Sequence, residues 1–209
     1  MIDPSNILQF KLTLTDSFPE IWRRVLVPDE CTLGDLHYVI SYAFGWFEDS
    51  EHEFSQGDVT YGPKGKGSAA DREDEHKVFL ARPFRRPGHS IRYAYSLLDE
   101  WHVHIELEGE QAPVPRGHYP CCIAGNNDGP PDGVGGISRH NEVVKAFGNP
   151  EAWKALLAEV GWPGWMQRGF EPTYLDIGDI NGALGLIFPT HDDPDGFLQI
   201  NRRVAGSRT

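Results

Sequence analysis

Between Trp101 and Glu108 the chain reads Trp-His-Val-His-Ile-Glu-Leu-Glu, a strict alternation of polar and apolar side chains. An extended strand sends successive side chains to opposite faces. His102, His104, Glu106 and Glu108 therefore share one face, and Val103, Ile105 and Leu107 the other. A strand patterned this way belongs to a sheet with one packed side. Two imidazoles two residues apart on such a strand point the same way, so they can share one ion or one anion.

The same period governs residues 7–15, where Leu8, Phe10, Leu12 and Leu14 fall on one face. Asp16-Ser-Phe-Pro signals a turn. Ile21–Val27 reads as a second strand closed by Pro28, so the two form an antiparallel hairpin. A helix is then predicted from Thr32 to Phe44. Thr32 suits the N-cap, Asp35 three residues on completes a capping box, and Gly45 suits the left-handed end. Leu33, Leu36, Ile40 and Phe44 recur at helical spacing, with Val39 and Ala43 filling the stripe. Strand, strand, helix resembles the opening of a β-grasp fold.

Farther on, His52–Ser55, Val59–Tyr61 and Lys77–Ala81 read as short strands, with a Gly/Lys/Asp-rich surface loop over 62–75. Ser90–Tyr95 should pair with the strand from Trp101 across a turn at 98–100. Residues 109–138 read as loop and 141–147 as one or two helical turns. Pro150–Val160 reads as a stronger helix with Trp153, Leu156, Leu157 and Val160 inward. Ala183–Phe188 reads as an added strand or a segment covering the core, and the chain from Arg202 as a disordered end.

These elements predict a single α+β domain over 1–183, with a mostly antiparallel sheet, followed by an extension over 184–209. Its expected core is Phe10, Leu12, Leu14, Trp22, Val25, Leu36, Ile40, Phe44, Phe54, Tyr95, Val103, Ile105, Trp153 and Leu157.

Charge narrows the partners. With 31 acidic against 19 basic residues the formal charge is −12, which disfavours non-specific binding to nucleic acid. The basic clusters Arg82, Arg85, Arg86 and Arg202, Arg203 are short, as in a solvated loop and a polar tail. The sequence has no apolar run of the roughly 18 residues a membrane helix needs. Met1-Ile-Asp-Pro-Ser-Asn does not open like a secretory signal. Three cysteines, Cys121 and Cys122 adjacent, make no disulfide framework. A cytoplasmic protein is expected, with a protein or small-molecule partner.

Taken in order, several motifs add up to a resemblance. Ile21-Trp-Arg-Arg-Val-Leu-Val-Pro28, Thr32-Leu-x-x-Leu-His37, Gly45-Trp46 and His52-Glu-Phe54 come first. Tyr93-x-Tyr95, Asp99-x-Trp101, Pro120, Cys122-x-x-Gly125, Pro130-Pro131-Asp132, Gly135-Gly136, Glu171-Pro172 and Ile180-Asn181 follow. Over roughly residues 7–181 the chain resembles the plasmid Ri open-reading-frame-three-like family. The resemblance implies an α+β domain, found alone in bacteria and archaea or attached to other modules, and it implies no particular activity. The chain departs from the family at informative places. Where the family carries Asp-Phe-Gly-Asp-x-Trp-x-His, residues 96–103 read Ser-Leu-Leu-Asp-Glu-Trp-His-Val, so the family's His falls on Val103. Family cysteines near the Pro-Pro pair fall on Gly129 and Val134, and a family His falls on Ser50.

Four constellations carry chemistry. His102 and His104, joined by His52 or Cys122, offer imidazole and thiolate, the donors zinc prefers; the same pair also suits a solvated sheet face beside Glu106. Asp99 next to Trp101 is a candidate general acid or base, or an Asp that caps its own turn. Trp101, Trp162 and Trp165 could line a ligand groove or plug the core. Cys121-Cys122 has no local partner that would make it a nucleophile. Residues 125–136 match neither a phosphate-binding P-loop nor a calcium loop. Two function classes follow: a non-enzymatic binding or adaptor module, tied to mobile elements by the resemblance, or a small metal-dependent hydrolase-like enzyme centred on His102 and His104.

Overall fold

A computed structural model describes residues 6–47, 50–64, 71–96, 99–160 and 171–188. The first hairpin forms as its alternation requires. Strand β1 (Ile7–Leu14) pairs antiparallel with β2 (Trp22–Pro28), Phe10 opposite Val25 and Leu12 opposite Arg23. Helix α1 (Leu33–Phe44) follows at once. Thr32 Oγ1 accepts the Asp35 N–H, the Asp35 carboxylate accepts the Thr32 N–H, and Gly45 closes the helix at φ +75°. Leu33, Leu36, Val39, Ile40 and Phe44 are all buried. Each such side chain stabilises the fold by roughly 1.5–3 kcal/mol relative to exposure.

Then come β3 (His52–Gln56), β4 (Val59–Gly62), the two-residue β5 (Glu73–Asp74), β6 (Ser90–Tyr95), β7 (Trp101–Gln111) and β8 (Cys121–Asn126). Together they make one eight-stranded sheet in the order β5-β4-β3-β6-β7-β1-β2-β8, antiparallel except for the β4–β5 pair. Helix α2 (Gly136–Ala146) meets Trp101 through His140, and α3 (Pro150–Val160) packs on α2. Helix α4 (Ile177–Ile187) lies against α1 and β8.

The expected α+β class and the hairpin-then-helix opening are what the chain adopts. Several local readings change, among them β5 inside the expected loop over 62–75 and an α2 longer than the one or two turns expected over 141–147. Residues 77–81 are not a strand: Glu75–Lys77 form a single 3₁₀ turn, and only Phe79 bridges, to Thr32. Residues 109–138 hold the end of β7, the whole of β8 and the start of α2. Ala183–Ile187 covers the core as a helix and not as an added strand, because Asp176 caps the Asp179 N–H and Leu184 and Ile187 supply a buried stripe that Gly182 and Gly185 obscure. Helix α4 thus runs across residue 183.

Another change is Trp22, which is half-buried rather than in the core. Val25 and Val27 fix the parity of β2, so Arg23 points inward and Trp22 outward with Arg24. Arg23 is 1% exposed. Its Nε–H donates to the Ala43 carbonyl at 2.8 Å, and Nη1 to the carbonyls of Trp22 and Asn126 at 2.9 and 3.1 Å. Its guanidinium lies over Phe44, and burial lowers its pKa to about 10. Trp153 is half-buried against Phe147, and the Leu157 side chain lies outside the described residues.

Helix α4 meets the last strand through one side chain. Asn181 Oδ1 accepts the Cys122 N–H at 2.7 Å and its amide donates to the Cys122 carbonyl at 2.9 Å.

Candidate functional site

The two faces of the sheet carry different chemistry. On the inner face, under α1, aromatic rings run in a row. Phe44 stacks on Trp46 at 4.9 Å, Trp46 on Tyr95 at 4.7 Å and on Trp101 at 6.0 Å. Tyr93 continues the row to His37, whose Nδ1 is 2.7 Å from the Tyr93 hydroxyl. His37 lies flat on His52, centroids 3.5 Å apart and planes within 6°. His52 Nδ1 meets the Ser50 carbonyl at 3.0 Å, and Nε2 meets both oxygens of Glu75 at 3.0 and 2.9 Å. Glu75 is 1% exposed.

The Ser50 carbonyl can only accept, and both nitrogens of the His52 ring are engaged inside the fold, one by that carbonyl and one by Glu75. Burial raises the Tyr93 phenol well above its ordinary range.

A loop from 126 to 136 clamps the other end of the row. Trp46 Nε1–H donates to the Pro130 carbonyl at 3.0 Å, Asp132 accepts from the Phe47 N–H, and the Tyr95 hydroxyl lies between the Phe47 carbonyl at 2.7 Å and Asp132 at 3.2 Å. Asp99 accepts the Gly133 N–H at 2.7 Å and the Gly135 N–H at 3.0 Å. Gly129 is obligatory, because a Cβ there would lie 1.9 Å from the Phe44 carbonyl oxygen.

The outer face is built by register. Arg92 on β6 stands opposite His104 on β7, and His104 stands opposite Thr13 on β1, which faces Trp22 on β2. His102 is opposite Ala94, and Lys11 is opposite Glu106 and Arg24. Arg24 binds Glu108 with two hydrogen bonds, and Gln9 adds a third, which lowers the Glu108 carboxyl below its usual range. Arg92, His102 and His104 are exposed and make no hydrogen bond or ion pair among the described residues.

The candidates named from sequence are thereby separated. His102 and His104 do share a face, the outer one. His52 lies on β3 and its ring is on the inner face. Cys122 lies on β8, at the far end of the sheet, with its thiol donating to the Ala124 carbonyl. Among the described residues no three His, Cys, Asp or Glu side chains are grouped to hold a metal ion. Val103, where the resemblance puts a histidine, is on the inner face opposite Tyr93, so the two flanking histidines do not take its place. Asp99 is buried and its carboxylate is taken up by the two glycine N–H groups. Trp101 is 0% exposed, and its indole N–H finds no acceptor among the described residues. Trp162 and Trp165 lie outside the described residues.

Burial suppresses the thiols. It raises Cys121 to about 11, and Cys31 and Cys122 also rise from their ordinary values. The inner cluster of His37, Glu75 and Tyr93 went unassigned from sequence. The available signal was His37, a polar residue inside the apolar stripe of α1.

A one-sided α+β domain, its aromatic row held by a Pro-Pro-Asp-Gly loop, defines the class of protein. The chain belongs to the plasmid pRiA4b ORF-3-like protein family, whose pattern it matches over residues 6–179. An uncharacterized protein, y4hQ of Sinorhizobium fredii (strain NBRC 101917 / NGR234), is 29% identical over 147 residues, covering 70% of this chain and 75% of that one. The crystal structure of a protein of unknown function, MM3350 from Methanosarcina mazei Go1, superposes with a TM-score of 0.70 at 26% identity, covering 83% of this chain and 96% of that one. No helix among the described residues is long and apolar enough to cross a membrane.

Proposed function

We propose that this protein is a non-enzymatic binding module that takes a carboxylate-bearing segment of a partner protein on the outer face of its sheet. One observation carries the reading: the inner-face polar groups are spent on the fold, while Arg92, His102 and His104 on the outer face have no hydrogen-bond or ion-pair partner among the described residues. Asp99, Asp132, Glu75 and His52 are committed to hydrogen bonds inside the fold. An enzyme needs a perturbed, reachable acid, base or nucleophile, and the thiols here are pushed away from the reactive thiolate. Arg92 and His104, side by side with His102 on the neighbouring register, offer donors to a carboxylate. The family's name, taken from a plasmid open reading frame, supports setting such a module beside mobile elements. The hydrolase alternative has less support, since His102 and His104 gain no third donor among the described residues.

Crosslinking in the cell tests the reading, comparing wild type, Arg92→Glu/His104→Glu and the exposed control Arg116→Glu, with circular dichroism confirming the fold. A partner should crosslink to wild type and to the control and fall at least tenfold for the double variant. Equal recovery by all three removes the outer face as the docking site. Stoichiometric zinc that disappears in His102→Ala/His104→Ala would overturn the non-enzymatic reading itself.

A further inference from the structure

The acidity of this chain is not uniform. Between Glu75 and Asp99 there is no Asp or Glu, while Lys77, Arg82, Arg85, Arg86 and Arg92 all fall there, with His76 and His89. The fold turns the middle of this stretch into a cleft of about 370 Å³, lined by Arg82, Arg85, Gly88, His89, Ser90 and Gln56. Its walls are fixed. The Gly88 N–H donates to the Leu107 carbonyl at 2.8 Å and the Leu107 N–H to the His89 carbonyl at 2.9 Å, which anchors the loop to β7. Gly88 turns at φ +86°. The Gln56 amide spans the carbonyls of Pro83 and Ser90.

Arg82 and Arg85 line the cleft and Arg86 follows in the same loop; the three cations differ in what holds them. Arg82 is matched by Glu73 through two hydrogen bonds of 2.5 and 3.0 Å. Arg85 donates only from Nε, to the Arg82 carbonyl at 3.3 Å. Arg86 donates only from Nε, to His89 Nε2 at 3.1 Å. The four Nη groups of Arg85 and Arg86 have no acceptor among the described residues. His89 is over-subscribed as well, because the Arg85 N–H points at its Nδ1 from 3.3 Å while Arg86 points at its Nε2. A neutral imidazole has one lone pair and cannot accept both. One contact therefore sets donor against donor, and the Arg85–His89 loop presents more side-chain N–H groups than acceptors among the described residues.

We infer that the Arg85–His89 loop is a binding site for the phosphate group of a small monoester, with Arg85 and Arg86 as its forked donors and His89 between them. A tetrahedral oxyanion supplies the missing lone pairs, and a planar guanidinium grips two of its oxygens at once. The surrounding charge of −12 selects for a short ligand, because a long polyanion is repelled by the rest of the surface. This site goes beyond the outer-face reading and uses none of its residues.

Amide chemical shifts, followed while phenyl phosphate or inorganic phosphate is titrated into the whole chain in chloride buffer, test the site. Saturable shifts at Gly88, His89 and Ser90 are expected for wild type and for Arg116→Gln. The apparent affinity should weaken at least tenfold in Arg85→Gln/Arg86→Gln, whose exposed positions leave the fold intact by circular dichroism. Absence of saturation, or equal binding by the double variant, overturns the site. An eight-nucleotide single strand that binds the same amides more tightly than phenyl phosphate also overturns it, in favour of a polynucleotide. None of these outcomes touches the crosslinking result, which does not involve Arg85 or Arg86.

Discussion

Trp101 and His102 are adjacent in sequence and lie in opposite surroundings. The first is sealed between Trp46 and His140, and the second stands in solvent across from Ala94. The same contrast runs the length of β7, where Trp101, Val103, Ile105 and Leu107 are buried and His102 and His104 exposed. The inner face is a structural interior in which even the ionisable groups are committed to hydrogen bonds. The outer face ties Arg24 and Gln9 to Glu108 but leaves Arg92, His102 and His104 available. His37, His52 and Glu75 form a buried cluster whose contacts are made within the fold, whereas Arg92 and His104 stand exposed side by side.

Four measurements would break or sharpen this contrast. Trp101→Ala should cost the most, about 3–5 kcal/mol, read as a lower denaturation midpoint at unchanged slope; a loss near zero would mean that the inner face is not the core. Acid comes next. Burial lowers His140 from 6.5 to about 4. The folded state thus takes up this proton later than the unfolded chain. Stability is full above pH 6.5 and falls as the pH drops toward about 4, by about 3 kcal/mol in all. His140→Leu should flatten that acid limb in pH-dependent urea unfolding, and an unaltered limb would remove His140 as its cause.

Asp99→Asn should cost about 1–3 kcal/mol, because the two glycine N–H groups meet different carboxylate oxygens and an amide sets its NH2 donor against one of them. Hydrogen exchange at Gly133 and Gly135 should speed up with it. Unchanged exchange would show that the carboxylate does not hold the loop. The smallest effect is expected on the outer face, where His102→Ala/His104→Ala should change stability by no more than about 0.5 kcal/mol. A larger loss in urea unfolding would mean that these histidines are structural after all.

Local signals carried much of the fold. Alternation in residues 7–15 and 101–108 and the Thr32 to Gly45 caps lie within a few residues, and each element formed where its pattern stood. The strand β8 carries no such pattern, since Cys-Cys-Ile-Ala-Gly-Asn is extended only because β2 offers an edge and Asn181 completes the other side. Reading Trp22 as core followed its size. Parity placed Arg23 inside instead, and the acceptors that make this tolerable come from residues 43 and 126. The inner cluster was hidden for the same reason, because Tyr93 is 56 residues from His37 and Glu75 is 23 from His52. The Arg82–Arg86 group was visible as a basic run; its donor surplus needed the position of His89, which only the anchored turn supplies.

The amide of Asn181 has one more consequence. A terminal strand normally leaves a row of free N–H and C=O groups on which another chain can add itself. By imitating a neighbouring backbone at Cys122, Asn181 occupies the rung where such an addition would begin on the β8 border. At the opposite border β5 is two residues long, too short to template an incoming strand. Among the described residues the sheet thus ends in a short strand on one border and, on the other, in a strand whose Cys122 rung is already taken by helix α4.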